Sequence, residues 1–271
     1  MTIRIFALLS MLALLPFQAQ AALSAGAPTV LITGANRGIG LELARQYAER
    51  GWNVIATTRR PIEDAGVSEL RDLAVKHPQV AIERIDVTDT AMIRGVAAKY
   101  RDQPIDVLVN NAANVETTLA KDLERLNLTY DKIDFDAARN DFDVNTLGPM
   151  RMIQAFMPLV ERSKQKKVIN VTSLAGSFGQ PMPGAMGMNY GASKAALNKY
   201  MVMLSKGVQD RGIIVALVQP IFVASKADMK NDRRAAPVDQ EVAKLIKLVD
   251  IMTMEHSGKI TNFTTGKTDP F

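Results

Sequence analysis

Tyr190 and Lys194 stand four residues apart in "NYGASKAAL", residues 189–197, a stretch that reads as the start of a helix. Four residues along a helix bring two side chains onto one face, about 6 Å apart along the axis. A phenol and an ammonium so placed could trade a proton, yet the same spacing suits an ordinary amphipathic helix, so the spacing leaves both readings open. A second group lies in "TVLITGANRGIG", residues 29–40, where Gly34, Gly38 and Gly40 follow an apolar strand-like run and open a helical stretch. Absent side chains let a backbone turn tightly and approach a diphosphate. The helix N-terminus adds unpaired N–H groups and the positive end of a dipole.

The second strand-like run ends in "IATTRRP", residues 55–61, which brings Thr58 and Arg59 to the place where the adenosine ribose of a dinucleotide would lie, and Arg37 sits inside the glycine loop. An acid there would bind the ribose hydroxyls and repel a 2'-phosphate, whereas a guanidinium holds that phosphate through paired, charge-assisted hydrogen bonds. The cofactor expected from these residues is NADPH, in preference to NADH.

The elements needed to position these residues are visible in the pattern. Strand-like runs occur at residues 29–33, 53–58, 80–85, 105–110, 167–171 and 213–218, several of them apolar at consecutive positions, as in parallel strands covered on both faces. Helix-length stretches alternate with them, including residues 41–50 and a long run from Asp134 to Lys164. This succession predicts an α/β fold, a doubly wound parallel sheet flanked by helices. Irregular stretches are expected at residues 114–133, 174–188 and 222–236, and long loops in such folds shape sites.

Composition sets outer bounds. The 271 residues are 47% hydrophobic and 23% charged, which suits one large globular domain or two small ones and excludes disorder. The net charge of +5 is scattered in short clusters such as Arg59–Arg60 and Arg233–Arg234, so no nucleic-acid partner is expected. With no cysteine and only the distant His77 and His256, neither a disulfide framework nor a cysteine or histidine metal site is expected. Residues 1–21 carry Arg4, an apolar run from Ile5 to Phe17, and Ala19 and Ala21 in A-x-A order, which is the signal-peptide pattern. The apolar run is shorter than the ~20 residues of a membrane span. Export to the periplasm with cleavage after Ala21 is expected. The alternatives are an uncleaved membrane tether or a cytoplasmic chain, since NADPH is a cytoplasmic currency. Residues 22–28 read as a linker and 29–271 as the domain.

Taken in order, "TGANRGIG", "IDVTD" (85–89), "NNAA" (110–113), "DVN" (143–145), "VTS" (171–173), "YGASK" (190–194) and "QP" (219–220) resemble the short-chain dehydrogenase/reductase family, and the closing "SGKITNFTTGKTDPF" resembles its carbonyl-reductase branch. The resemblance spans about residue 28 to the C-terminus. It implies one Rossmann-type domain of about seven strands, with homo-oligomers common in the family. It further implies that Gly34, Asn36, Arg37, Gly38, Ile39 and Gly40 hold the cofactor phosphates, with Asp86 and Val87 at the adenine. Asn110 and Ala112 would lie along the cofactor, and Pro220, Val223 and Ser225 would face the nicotinamide. Asn145, Ser173, Tyr190 and Lys194 fall on the catalytic positions. Two positions depart from the pattern: Ala113 replaces the last glycine of "NNAG", and Ile221 replaces a glycine whose freedom at positive φ it lacks.

On this resemblance Tyr190 is the general acid that protonates a carbonyl oxygen while NADPH delivers hydride, and Ser173 donates a hydrogen bond to that oxygen. Lys194 is expected to lower the phenol's pKa and to bind the nicotinamide ribose, and Asn145 to hold a relay water. Met182, Met186 and Met188 lie in a segment without charge, consistent with a small apolar carbonyl or alcohol substrate. The rival reading is a non-catalytic dinucleotide-binding regulatory protein.

Overall fold

The computed structural model describes residues 23–114, 133–179, 188–220, 223 and 235–271. The leader expected over residues 1–21, together with Met182, Met186, Ile221 and Ser225, lies outside the described residues.

Eight strands form one sheet in the order β3-β2-β1-β4-β5-β6-β7-β8. They are β1 (Thr29–Ile32), β2 (Asn53–Thr58), β3 (Val80–Arg84), β4 (Val107–Asn110), β5 (Lys167–Val171), β6 (Ile214–Gln219), β7 (Ile260–Asn262) and β8 (Lys267–Asp269). All neighbours are parallel except β7 and β8. The helices are α1 (Gly38–Glu49), α2 (Ser68–Lys76), α3 (Thr90–Lys99), α4 (Phe135–Phe142), α5 (Gly148–Glu161), α6 (Met188–Val208) and α7 (Val238–Ile251).

Successive residues of a strand point to opposite faces, so an apolar run feeds two cores at once. Val30, Ile32, Val54, Ala56, Val107 and Val109 enter one core, which α1 closes with Leu43 and Tyr47 and α7 closes with Leu245 and Val249. Leu31, Ile55, Leu108, Val168, Val215 and Leu217 enter the other, against Phe156 of α5 and Leu197 and Met201 of α6. This two-sided burial is why β1, β2 and β6 lack polar alternation.

β1 lies between β2 and β4, so the strand order reverses direction there, and the carboxyl ends of these strands open a crevice where such sheets bind ligands. Two features differ from the sequence expectation. Instead of about seven strands there are eight: β8 returns antiparallel on β7, with Lys267 to Asp269 opposite Asn262 to Ile260. Three polar residues on a solvent edge carry no periodic signal. The long helical stretch is also in three pieces, because a π turn (Asp143–Leu147) separates α4 from α5, with the Gly148 N–H reaching back to the Asp143 carbonyl.

Candidate active site

The cofactor side is built where β1 and β4 end. Thr33 Oγ1 accepts the N–H groups of Asn111 and Ala112, each at 3.0 Å, and Asn111 Nδ2 donates to the carbonyls of Thr33 (2.9 Å) and Gly34 (3.2 Å). The Ala35 N–H donates to the Thr57 carbonyl at 2.8 Å, which ties the same loop to the end of β2. Gly34 has φ +68°, and a β-carbon on Gly40 would collide with the Gly34 carbonyl, so this closed loop requires glycine at both positions. Helix α1 begins without a side-chain cap and without an acid in its first turn. Helices α3 and α4, by contrast, are capped by Asp89 and Asp134. An uncapped, acid-free N-terminus above a glycine loop fits an anionic diphosphate.

The other residues expected at the cofactor are placed as follows. Asn36 Nδ2 donates to the Gly66 carbonyl at 3.1 Å, and Ile39 packs on the core below the loop. Arg37 and Arg59 are exposed, whereas Thr58 is buried and its hydroxyl receives the Arg60 N–H at 3.2 Å. Asp86 Oδ1 accepts the Thr88 N–H (2.9 Å) and hydroxyl (2.7 Å). Burial alone would raise the Asp86 pKa, but those two bonds, with the guanidiniums of Arg59 and Arg84, bring it below the usual carboxylate value. Val87 is buried where a β-carbon on Gly148 would lie 2.8 Å from its side chain, and Asn110 Nδ2 donates to Asn170 Oδ1 of β5 at 2.9 Å. Ala112 packs near Gly34, Pro220 follows β6, and Val223 is buried and bridges to Ala236.

The chemistry-bearing side chains meet at the other end of this edge. After β5, a short 3-10 turn over Leu174–Gly176 presses on α6, and a β-carbon at Gly176 would lie 2.8 Å from Lys194 backbone and side-chain atoms. That approach sets Ser173 beside Tyr190, where its side chain acts on the phenol. Asn198 fixes the same turn, accepting from Thr172 Oγ1 (2.6 Å) and donating to the Gly176 carbonyl (3.2 Å). Lys194 is buried at 2% exposure; its Nζ donates to the Val171 carbonyl at 2.9 Å and lies 5.7 Å from the centre of the Tyr190 ring.

Burial pulls the Lys194 ammonium down to about 8, and the carboxylate of Asp141 works against that fall. The Tyr190 phenol moves the opposite way from the sequence expectation. Burial raises it above its ordinary value, the neighbouring Ser173 side chain lowers it, and Asp141 raises it further. The expectation of a lowered phenol pKa weighed the lysine charge together with that of an oxidised nicotinamide, and left out burial and a buried acid.

Asn145 lies in the π turn, fully buried. Its Oδ1 accepts the Asn114 N–H at 2.7 Å, and its Nδ2 donates to the Asn114 carbonyl and to Ser193 Oγ, each at 3.0 Å. Thr33, Asn111, Asn114, Asp141 and Asn198 were not identified as site residues from sequence, since each is an ordinary polar residue whose partner is distant in the chain. The contacts of the C-terminal tail are likewise invisible in the sequence: Asp269 Oδ2 accepts from Gln219 Nε2 at 2.5 Å, and the carbonyls of Pro270 and Phe271 accept from Ser177 Oγ (3.1 Å) and the Gly179 N–H (2.8 Å).

A sheet reversing at β1, a glycine loop under an uncapped helix, and Ser173, Tyr190 and Lys194 drawn together match a known family: residues 28–236 match the short chain dehydrogenase model, and the chain belongs to that family as an NAD(P)-dependent oxidoreductase. Among its relatives, an uncharacterized oxidoreductase of Schizosaccharomyces pombe is 30% identical over 258 residues, covering 89% of this chain and 96% of the relative. A 1-hydroxy-2-glutathionyl-2-methyl-3-butene dehydrogenase of Rhodococcus sp. is 31% identical over 234 residues, covering 85% and 94%. The crystal structure of NADPH-bound carbonyl reductase from chicken fatty liver superposes with a TM-score of 0.78 at 29% identity, covering 90% of this chain and 99% of that one.

Proposed function

We propose that this chain reduces a small carbonyl compound to an alcohol with NADPH, with Tyr190 as proton donor. The observation that carries the reading is the convergence of Ser173, which acts on the Tyr190 phenol, and the buried Lys194 nitrogen, 5.7 Å from the centre of the Tyr190 ring. When bound, the reduced nicotinamide supplies hydride to the carbonyl carbon. A phenol held above its ordinary pKa is protonated at neutral pH and so stands ready as an acid. Tyr190 gives its proton to the carbonyl oxygen, and Ser173 adds a second donor as negative charge develops there. The neighbouring Lys194 charge favours the tyrosinate that remains.

Gly34, Asn36, Arg37, Gly38, Ile39 and Gly40 would hold the phosphates, and the exposed guanidiniums of Arg37 and Arg59 support a phosphorylated ribose. The NADPH bound to the chicken carbonyl reductase is in keeping with that choice. The absence of charge from residues 174–188 supports an apolar ketone or aldehyde.

The test is NADPH consumption with a panel of small ketones and aldehydes, repeated with NADH. Turnover is expected with NADPH ahead of NADH, and Tyr190→Phe is expected to lower kcat about 10³-fold. A Tyr190→Phe variant as fast as the parent overturns the acid role.

A further inference from the structure

Helix α4 is inside out, with phenylalanines exposed at both of its ends and an acid buried between them. Phe135 is 67% exposed and Phe142 37% exposed, while Asp141 is buried at 1%. An amphipathic helix ordinarily does the reverse, and burying a carboxylate costs stability unless polar partners receive it. Violations of this kind concentrate where function requires them.

The partners of Asp141 lead to the site. Asn114 Nδ2 donates to Asp141 Oδ1 at 2.7 Å. The backbone of Asn114 grips the Asn145 side chain at both its oxygen and its nitrogen. Asn145 then donates to Ser193 Oγ, which donates to the Tyr190 carbonyl at 2.7 Å, and Thr146 Oγ1 donates to the Ser193 carbonyl at 2.8 Å. The chain of contacts thus ends on the first turn of α6, on the residues beside Tyr190 and Lys194.

We propose that Asp141 is a positioning residue of this site, whose carboxylate, held by Asn114, braces Asn145 against α6 and supplies the negative charge that faces Lys194. The inference rests on reading Tyr190 and Lys194 as the acid–base pair. Charge makes the case beyond bracing. A buried ammonium needs an opposite charge near it, and among the described residues Asp141 is the carboxylate that acts on Lys194. The charged and titratable groups of the packed elements are accounted for among the described residues. Asp134 and Asp136 of α4 are exposed, Asp136 pairing with Arg139 at 2.5 Å. Asp143 of the π turn pairs with Arg151 at 2.6 Å. On α6 Lys194 is buried, Tyr190 is half-buried, and Lys199 is exposed. Residues 111–114 bring no charge.

The test compares the parent with Asp141→Asn, which keeps a hydrogen-bond acceptor for Asn114 and removes the charge. The first readout needs no cofactor: the 13Cε resonance of Lys194 in lysine-labelled protein, assigned by its loss in Lys194→Arg, is titrated against pH. The parent is expected to titrate near 8. Asp141→Asn is expected to titrate about one unit lower, since the carboxylate favours the ammonium. The second readout is the pH profile of kcat for carbonyl reduction, whose alkaline limb moves to lower pH in the variant with KM for NADPH unchanged. A folded Asp141→Asn protein whose lysine midpoint equals the parent's overturns the proposal, whatever its activity. If Asp141→Asn does not fold, Asn114→Ala decides: a lower midpoint, by less than one unit, supports the proposal and an unchanged one overturns it. Full activity in Tyr190→Phe would instead defeat the acid–base reading, and the lysine titration would still judge Asp141.

Discussion

At one end of β5, Lys167 is buried with its Nζ donating to the carbonyls of Val249 (2.5 Å) and Asp250 (3.3 Å), in the last turn of α7. At the other end, the Val171 carbonyl receives Lys194 beside Tyr190. Burial lowers the pKa of both lysines, and acids oppose the fall in both, Asp250 and Asp106 for the first and Asp141 for the second. A perturbed lysine is therefore no mark of a catalytic site by itself. The difference lies in the company. Lys167 faces carbonyls at the negative end of a helix dipole, a fixed electrostatic task, whereas Lys194 faces a phenol that can exchange a proton.

Replacing each lysine by methionine should pull the two ends apart. Lys194→Met is expected to lower kcat for carbonyl reduction about 10²- to 10³-fold, measured as NADPH turnover in folded protein. Activity kept within a few-fold would mean that the two lysines do not differ in this way.

A second measurement sharpens the comparison through stability. Lys194 titrates near 8 in the folded chain against 10.5 for the ordinary lysine. Between those values the unfolded chain holds a proton that the folded one has released, so folding gains stability as pH rises through that window. Urea unfolding should show the parent gaining about 3 kcal/mol on Lys194→Met between pH 8 and 10.5, at about 1.4 kcal/mol per pH unit. Curves that stay parallel across the window would mean that Lys194 is not desolvated in solution.

The smallest effect on catalysis is expected at the structural end. Lys167→Met strands two helix-end carbonyls and should cost about 1–2 kcal/mol of unfolding free energy at neutral pH, with kcat within about two-fold of the parent. A large kcat loss at unchanged stability would mean that the far end of β5 reaches the site after all.

Much of this molecule could be read in the sequence because the signals are local. Two-sided burial writes itself as consecutive apolar residues in β1, β2 and β6. The glycine loop announces a turn, and Tyr190 and Lys194 share a helix turn. What could not be read depends on contacts between distant segments. Asn114 meets Asp141 and Asn145 across a stretch of about thirty residues, and nothing in "RNDFD" marks its first aspartate as the inward one. The direction of the Tyr190 shift escaped for the same reason, since burial is a property of the assembled sheet and helices. β8 escaped because three polar residues on an edge have no pattern to show.

The lacing of Thr33 to Asn111 and Ala112, 78 and 79 residues further along, bears on redesign. The nucleotide pocket is not a cassette. Transplanting residues 33–40 from a homologue with another cofactor taste would leave the donor's turn tied to a foreign β4 exit. A swap that imports both margins as one unit preserves the geometry; one that imports the glycines alone starts with a torn seam.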